Sequence, residues 1–152
     1  MTWVLSIALI VVVLVAALWG MRHGWVGRAR TSAASLPGLP PVPNDLGAPT
    51  TALMPGIYVS TVLADDVLER VVAHGLGVKS QAAVQVFDSG VRIARSGAGE
   101  LYLPRDVLRA VTTSAGQAGK FMGGDGLTVL EWMPPAVEDG PPLEPLRTAV
   151  RL

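Results

Sequence analysis

The chain has no cysteine and only two histidines among its 152 residues. Without cysteine there is no disulfide framework and no thiolate-ligated metal. Two histidines, His23 and His74, with His23 in the N-terminal basic flank, are too few for a histidine metal cluster, so no metal or other cofactor is expected. Charge is also scarce. Only 16% of residues are charged, against about 25% in ordinary soluble domains. The net charge is zero, so no overall field draws nucleic acid, which is not expected as a partner. The charges that exist are unevenly placed. No acidic residue precedes Asp45, whereas Arg22, Arg28 and Arg30 fall within the first 30 residues.

What is plentiful is apolar surface, since half the residues are hydrophobic. The opening "MTWVLSIALIVVVLVAALWGM" contains no charged side chain. A helix of about 20 such residues matches the thickness of bilayer hydrocarbon, and Trp3 and Trp19 bracket it as interfacial indoles do. Residues 1–21 are therefore expected to be a transmembrane helix with the lipid bilayer as their partner. A cleaved signal peptide would start with Lys or Arg, and this segment does not. The basic flank predicts a signal-anchor, with the C-terminal domain on the cytoplasmic side of the plasma membrane. Arg22, Arg28 and Arg30 could make a weak contact with anionic lipid, each worth about 1 kcal/mol.

Residues 22–55 read as a basic juxtamembrane stretch and a proline-rich linker. Pro37, Pro40, Pro41, Pro43, Pro49 and Pro55 argue against a long helix or an interior strand, which leaves a stiff spacer. Residues 56–152 read as a domain. "GIYVSTV" predicts a strand over 57–62. In "DDVLERVVAHG", Val67, Leu68, Val71 and Val72 share a helical face, and Asp66 with Glu69 forms a capping-box spacing. Val84 and Val86, then Val91 and Ile93, alternate around Asp88-Ser89-Gly90 as a hairpin does. "ELYLP", "LTVLEWM" and "LRTAVRL" read as further strands, the last with Leu146, Val150 and Leu152 inward. "RDVLRAV" fits a helical turn or a strand. "SAGQAGKFMGGDG" reads as a loop, in which "GQAGK" could offer amides to an anion. Trp132 and Phe121 are expected in the core, and Arg92, Arg95, Arg105 and Arg109 on a solvated basic face. The sum is a small, mostly antiparallel sandwich or split barrel.

Chemistry-bearing motifs are thin. In "AHGLGVKS" (73–80), Val78 separates Gly77 from Lys79, and a helix precedes the loop, so it is not a Walker loop. It reads as a helix stop: Gly75 in the left-handed region, Leu76 folded back, and His74 placed to complement the dipole. Ser60, Ser80, Ser89, Ser96 and Ser114 lack a G-x-S-x-G setting. No catalytic, cofactor-binding or metal-binding residue is assigned, and the chain is not expected to be an enzyme.

The run from "GIYVSTVLADD" through "RVVAHGLG" to "LYLPRDVLRAV", with "AGQAGK" and "LTVLEW" after it, resembles small actinobacterial membrane proteins with one N-terminal helix and a pleckstrin-homology-like domain, of the type encoded beside pyrimidine-biosynthesis genes. The resemblance covers about residues 1–133 and is most specific at "RVVAHGLG". It implies a PH-like split barrel or sandwich and no established activity. In that pattern a strand and a C-terminal helix follow; here the chain stops after the strand, so the barrel mouth is expected to lack its covering helix. The function expected is a membrane-tethered adapter that binds a protein partner at the cytoplasmic face. The alternative is an accessory subunit of a membrane transport or envelope complex.

Overall fold

Alternation at Val84, Val86, Val91 and Ile93 does what its period requires: it builds a hairpin of β2 (Ser80–Phe87) and β3 (Gly90–Arg95), with Val84 opposite Ile93 and Val86 opposite Val91. The turn closes tightly. A Cβ on Gly90 would lie 2.3 Å from the Leu103 carbonyl oxygen, so only glycine lets the neighbouring strand approach. The structure is a computed structural model. It describes residues 2–36, 38–117, 120–121, 126–136 and 142–152, without the side chains of 2, 4, 5, 23–35, 120 and 121.

The remaining strands are β1 (Met54–Leu63), β4 (Leu101–Pro104), β5 (Leu108–Ser114), the short pair β6 (Gly116–Gln117) and β7 (Lys120–Phe121), β8 (Leu127–Trp132) and β9 (Leu146–Arg151). Seven of the nine described strands form one antiparallel sheet in the order β4-β3-β2-β1-β9-β8-β5, and β6 and β7 pair separately. "RDVLRAV" begins as a turn and enters the edge strand β5 at Leu108. The inward residues Tyr58, Val84, Ile93, Leu101, Leu103, Leu130, Trp132, Leu146 and Val150 make one core, and Leu36, Val71 and Leu76 join it from outside the sheet. Trp132 is fully buried, as expected. The side chain of Phe121 lies outside the described residues.

The N-terminal expectation is corrected. The helix α1 (Thr2–Ser35) does not stop at residue 21 but continues through the basic flank. Among the described residues no helix is long and apolar enough to cross a membrane. The transmembrane helix over residues 1–21, its bilayer partner and the single-pass plasma-membrane localisation are withdrawn with it. So is the accessory-subunit alternative, which rested on helix packing in a bilayer. Arg22 is exposed; the side chains of Arg28 and Arg30 lie outside the described residues.

The proline-rich stretch is no free spacer. Leu36 is buried in the core. Thr50 donates its amide to the Val86 carbonyl, and Val86 returns its amide to Thr51 Oγ1. Extended, proline-punctuated chain is thereby laid along β2, where its remaining donors find partners.

The helix expected over Asp66–Val72 is also absent. Asp66 Oδ1 accepts from the Leu68 amide, and the Glu69 amide bonds the Asp66 carbonyl, an Asx-type turn rather than a cap. Beyond it the chain is drawn back onto β1: Leu63 donates to the Glu69 carbonyl and Val71 to the Thr61 carbonyl. Two helical turns cannot offset nucleation alone, and the ladder with β1 outcompetes them. Only a 3₁₀ turn, Ala73–Gly75, remains.

Candidate functional site

The stretch 73–80 is a structural joint anchored by one buried side chain, Leu76. His74 (φ 54°) and Gly75 (φ 67°) are both left-handed, and Leu76 is fully buried. The positive φ at Gly75 and the inward Leu76 are as expected. His74 does not face a helix dipole, since no α-helix ends there; its Nε2 lies 2.9 Å from the Leu36 carbonyl oxygen. The turn points carbonyls, not amides, into the molecule. Arg95 donates to the carbonyls of His74, Gly75 and Gly99. The Leu76 carbonyl accepts from the Tyr58 hydroxyl at 2.7 Å. A phosphate needs converging amides, and these carbonyls would repel it.

Arg95 is thus buried, with one bond from each guanidinium nitrogen and its guanidinium 4.9 Å from the centroid of the Tyr58 ring. The solvated basic face does not exist as a unit. Arg92 pairs with Glu100, Arg95 is internal, and Arg105 and Arg109 stand apart at the start of β5.

From Tyr58 a polar chain crosses the core. Tyr58 Oη meets Thr61 Oγ1 at 2.7 Å, Thr61 Oγ1 meets Thr148 Oγ1 at 2.7 Å, and Trp132 Nε1 donates to Thr148 Oγ1 at 2.9 Å. Indole can only donate and the Leu76 carbonyl can only accept. One direction therefore satisfies every proton: Trp132 to Thr148, Thr148 to Thr61, Thr61 to Tyr58, Tyr58 to Leu76. Burial pushes the Tyr58 phenol up to about 12, a rise the Thr61 bond and the Arg95 charge only partly offset. A phenol so hard to ionise, with its proton already committed, is a structural strut and not an acid–base group.

The concave surface lies at the other end of the sheet. A groove of about 430 Å³ opens between β2–β3 on one wall and β5, β8 and β9 on the other. Val84, Val86 and Val91 line the first wall; Leu108, Val111, Leu130, Val150 and Leu152 line the second, with Met54 between them. Polar groups stand among them only as Thr50, Asp88, Arg105 and Thr128. Asp88 is engaged by the Thr50 hydroxyl at 3.3 Å. The size is typical of a ligand pocket. Val111 is 61% exposed and Leu152 is 54% exposed, so Leu152 lies at the groove and not in the core where the alternation put it.

Register explains why β5 faces the groove. Leu108 pairs with Trp132 and Val111 with Leu130, with a bulge between Leu108 and Ala110. The inserted residue lets Leu108 and Val111, three apart, share the inward face. None of these side chains was singled out as a site residue from the sequence. They are ordinary strand apolars, and only the concavity of the sheet makes them a surface.

The "GQAGK" loop holds another device. Gln117 is buried and its Nε2 donates to the carbonyls of Ser60 and Arg147, pinning the β6–β7 ladder across β1 and β9. Residues 118 and 119, central to the expected anion cradle, lie outside the described residues. Among the described residues no three His, Asp or Glu side chains cluster as metal ligands do.

Residues 36–143 match the family described as bacterial PH domain-like. No curated protein and no solved structure is a match.

Proposed function

The chain belongs to the bacterial PH domain-like family, and from that premise we infer that it is a binding module without catalytic chemistry, which takes a protein partner at the open mouth of its sheet. PH-like domains are generally non-catalytic, and their fold serves as a rigid platform on which sites are grafted. The observation that carries the reading is the apolar groove, in which large side chains such as Val111 and Leu152 are left in water. Apolar surface gathered in a concavity is how proteins present interaction sites. The opposite end is filled by Leu36, Val71 and Leu76 and held by Arg95.

The test compares the proteins that co-purify with the full chain, with a Val111→Asp variant, and with a Val78→Asp variant as control. Val78 is equally exposed but lies away from the groove. A partner that rebinds as purified protein should be retained by the wild type and by Val78→Asp, and lost with Val111→Asp. Equal retention by all three would remove the groove from the interaction.

A further inference from the structure

The two ends of the sheet are guarded very differently. The edge strand β4 is four residues long, has three buried side chains and ends in Pro104, all devices that keep other chains from pairing. The edge strand β5 has seven residues and no proline, and all but its terminal residues are exposed. It pairs with β8 on one side only. An antiparallel strand alternates its amides and carbonyls between its two sides, so among the described residues the far side of β5 presents an unpaired ladder. Natural proteins rarely leave such an edge bare without a use. The apolar groove lies directly along its inward face, through Leu108 and Val111.

Charge adds a direction. Arg105 and Arg109 are exposed at the start of β5, and their side chains make no hydrogen bond or ion pair among the described residues. With Asp106 between them they leave one net positive charge at that end. Asp88, on the opposite wall, is already engaged by Thr50.

We propose that β5 takes a segment of a protein partner in extended conformation, added to its free edge as a further strand, with apolar side chains at alternate positions entering the groove and an acidic side chain near Arg105 and Arg109. Main-chain bonds then supply affinity and the groove supplies selectivity, as in strand addition generally. A two-residue period in the partner follows from the pleat, because only every second side chain faces the groove. This rests on the groove being the partner site, and it adds the mode of binding and the kind of segment bound.

The experiment selects a random dodecapeptide library on the full chain, with removal of peptides that also bind Val111→Asp. An enriched peptide is then remade with its alternate amides N-methylated, first one set and then the other. Apolar residues recurring at every second position, with an acidic residue near one end, are expected. Methylating the set that faces β5 should weaken binding at least about tenfold, and methylating the other set should leave it nearly unchanged. Leu152→Asp, at the exposed end of the groove, should weaken binding as Val111→Asp does, and circular dichroism reads whether each variant is folded. Peptides that need Val111 yet tolerate both methylated sets would overturn strand addition while leaving the groove as the site. Enriched peptides without a two-residue period do the same. A wild type that enriches no peptide but dimerises through Val111 would replace the partner segment with a second copy of β5, and no dependence on Val111 at all would overturn both readings.

Discussion

Arg95 and Gly75 hold together a turn that sequence could describe only as an interruption. Removing the guanidinium takes away three part-buried bonds from a charged donor to the carbonyls of His74, Gly75 and Gly99, a kind of bond worth about 1.5–3 kcal/mol. Arg95→Ala should therefore lower the urea midpoint severely, and Arg95→Lys should not restore it, since a point charge cannot reach three carbonyls at once. Gly75→Ala should cost about 1 kcal/mol or more, because the left-handed φ is unfavourable once a Cβ is present; its Cβ would meet nothing closer than Ala98 at 3.7 Å, so strain and not collision sets the loss. Tyr58 gives a pH signature. Its folded pKa of about 12 lies above the unfolded value of about 10. The folded state therefore holds the proton longer, and its stabilising contribution is complete below pH 10 and lost as pH rises toward 12. The loss amounts to about 3 kcal/mol. Thermal unfolding followed between pH 9 and 12 should show this decline. Tyr58→Phe should start lower, by about 1–3 kcal/mol for the buried Thr61 hydroxyl left without its acceptor, and decline less over that range. Equal slopes for the two proteins would mean that the phenol is not buried.

Element by element, legibility followed the number of neighbours that a segment's pattern must satisfy. The β2–β3 hairpin was readable because Val84, Val86, Val91 and Ile93 alternate about a turn that needs only local residues. Trp132 and the strand at Leu146–Arg151 were readable for the same reason. The helix over Asp66–Val72 was misread because Val67, Leu68, Val71 and Val72 do have helical spacing, yet Leu68 is 69% exposed and the segment's backbone is claimed by β1. The α1 helix was begun correctly and ended wrongly, since Arg22 and the residues after it break the apolar run without breaking the helix. β9 shows what a central strand is worth. It pairs with β1 on one side and β8 on the other, and Leu146, Thr148, Ala149 and Val150 are all buried. Leu146 and Val150 alone contribute about 1.5–3 kcal/mol each, and losing the strand would also split the sheet into two parts. Deleting residues 146–152 should abolish cooperative unfolding, monitored by tryptophan fluorescence at Trp132. A deletion variant that still unfolds cooperatively, within about 1 kcal/mol of the intact chain, would contradict the topology.

For the whole molecule, the joint at one end of the sheet and the groove at the other divide structure from function. Arg95 and Tyr58 tie the carbonyls of His74, Gly75 and Leu76 internally in the first, which rigidifies the platform; the second leaves apolar side chains and a strand edge uncommitted. The division was only half visible in sequence. A two-residue period tells which side chains face inward, but not whether something covers them, and coverage is decided by how the sheet coils. The expectation of an open barrel mouth came from resemblance, and the residues that form the groove, Val111 and Leu108 above all, came from a bulge that no periodicity announces. The central claim is that partners are taken at this mouth and not at the 73–80 joint. Its most direct measurement is amide chemical-shift mapping of the full chain titrated with a selected peptide. The account predicts shifts concentrated on β5, on the Val84–Val91 wall and at Leu152, with the amides of 73–80 unmoved. Saturable shifts centred on His74–Leu76 and Arg95, with β5 silent, would contradict it.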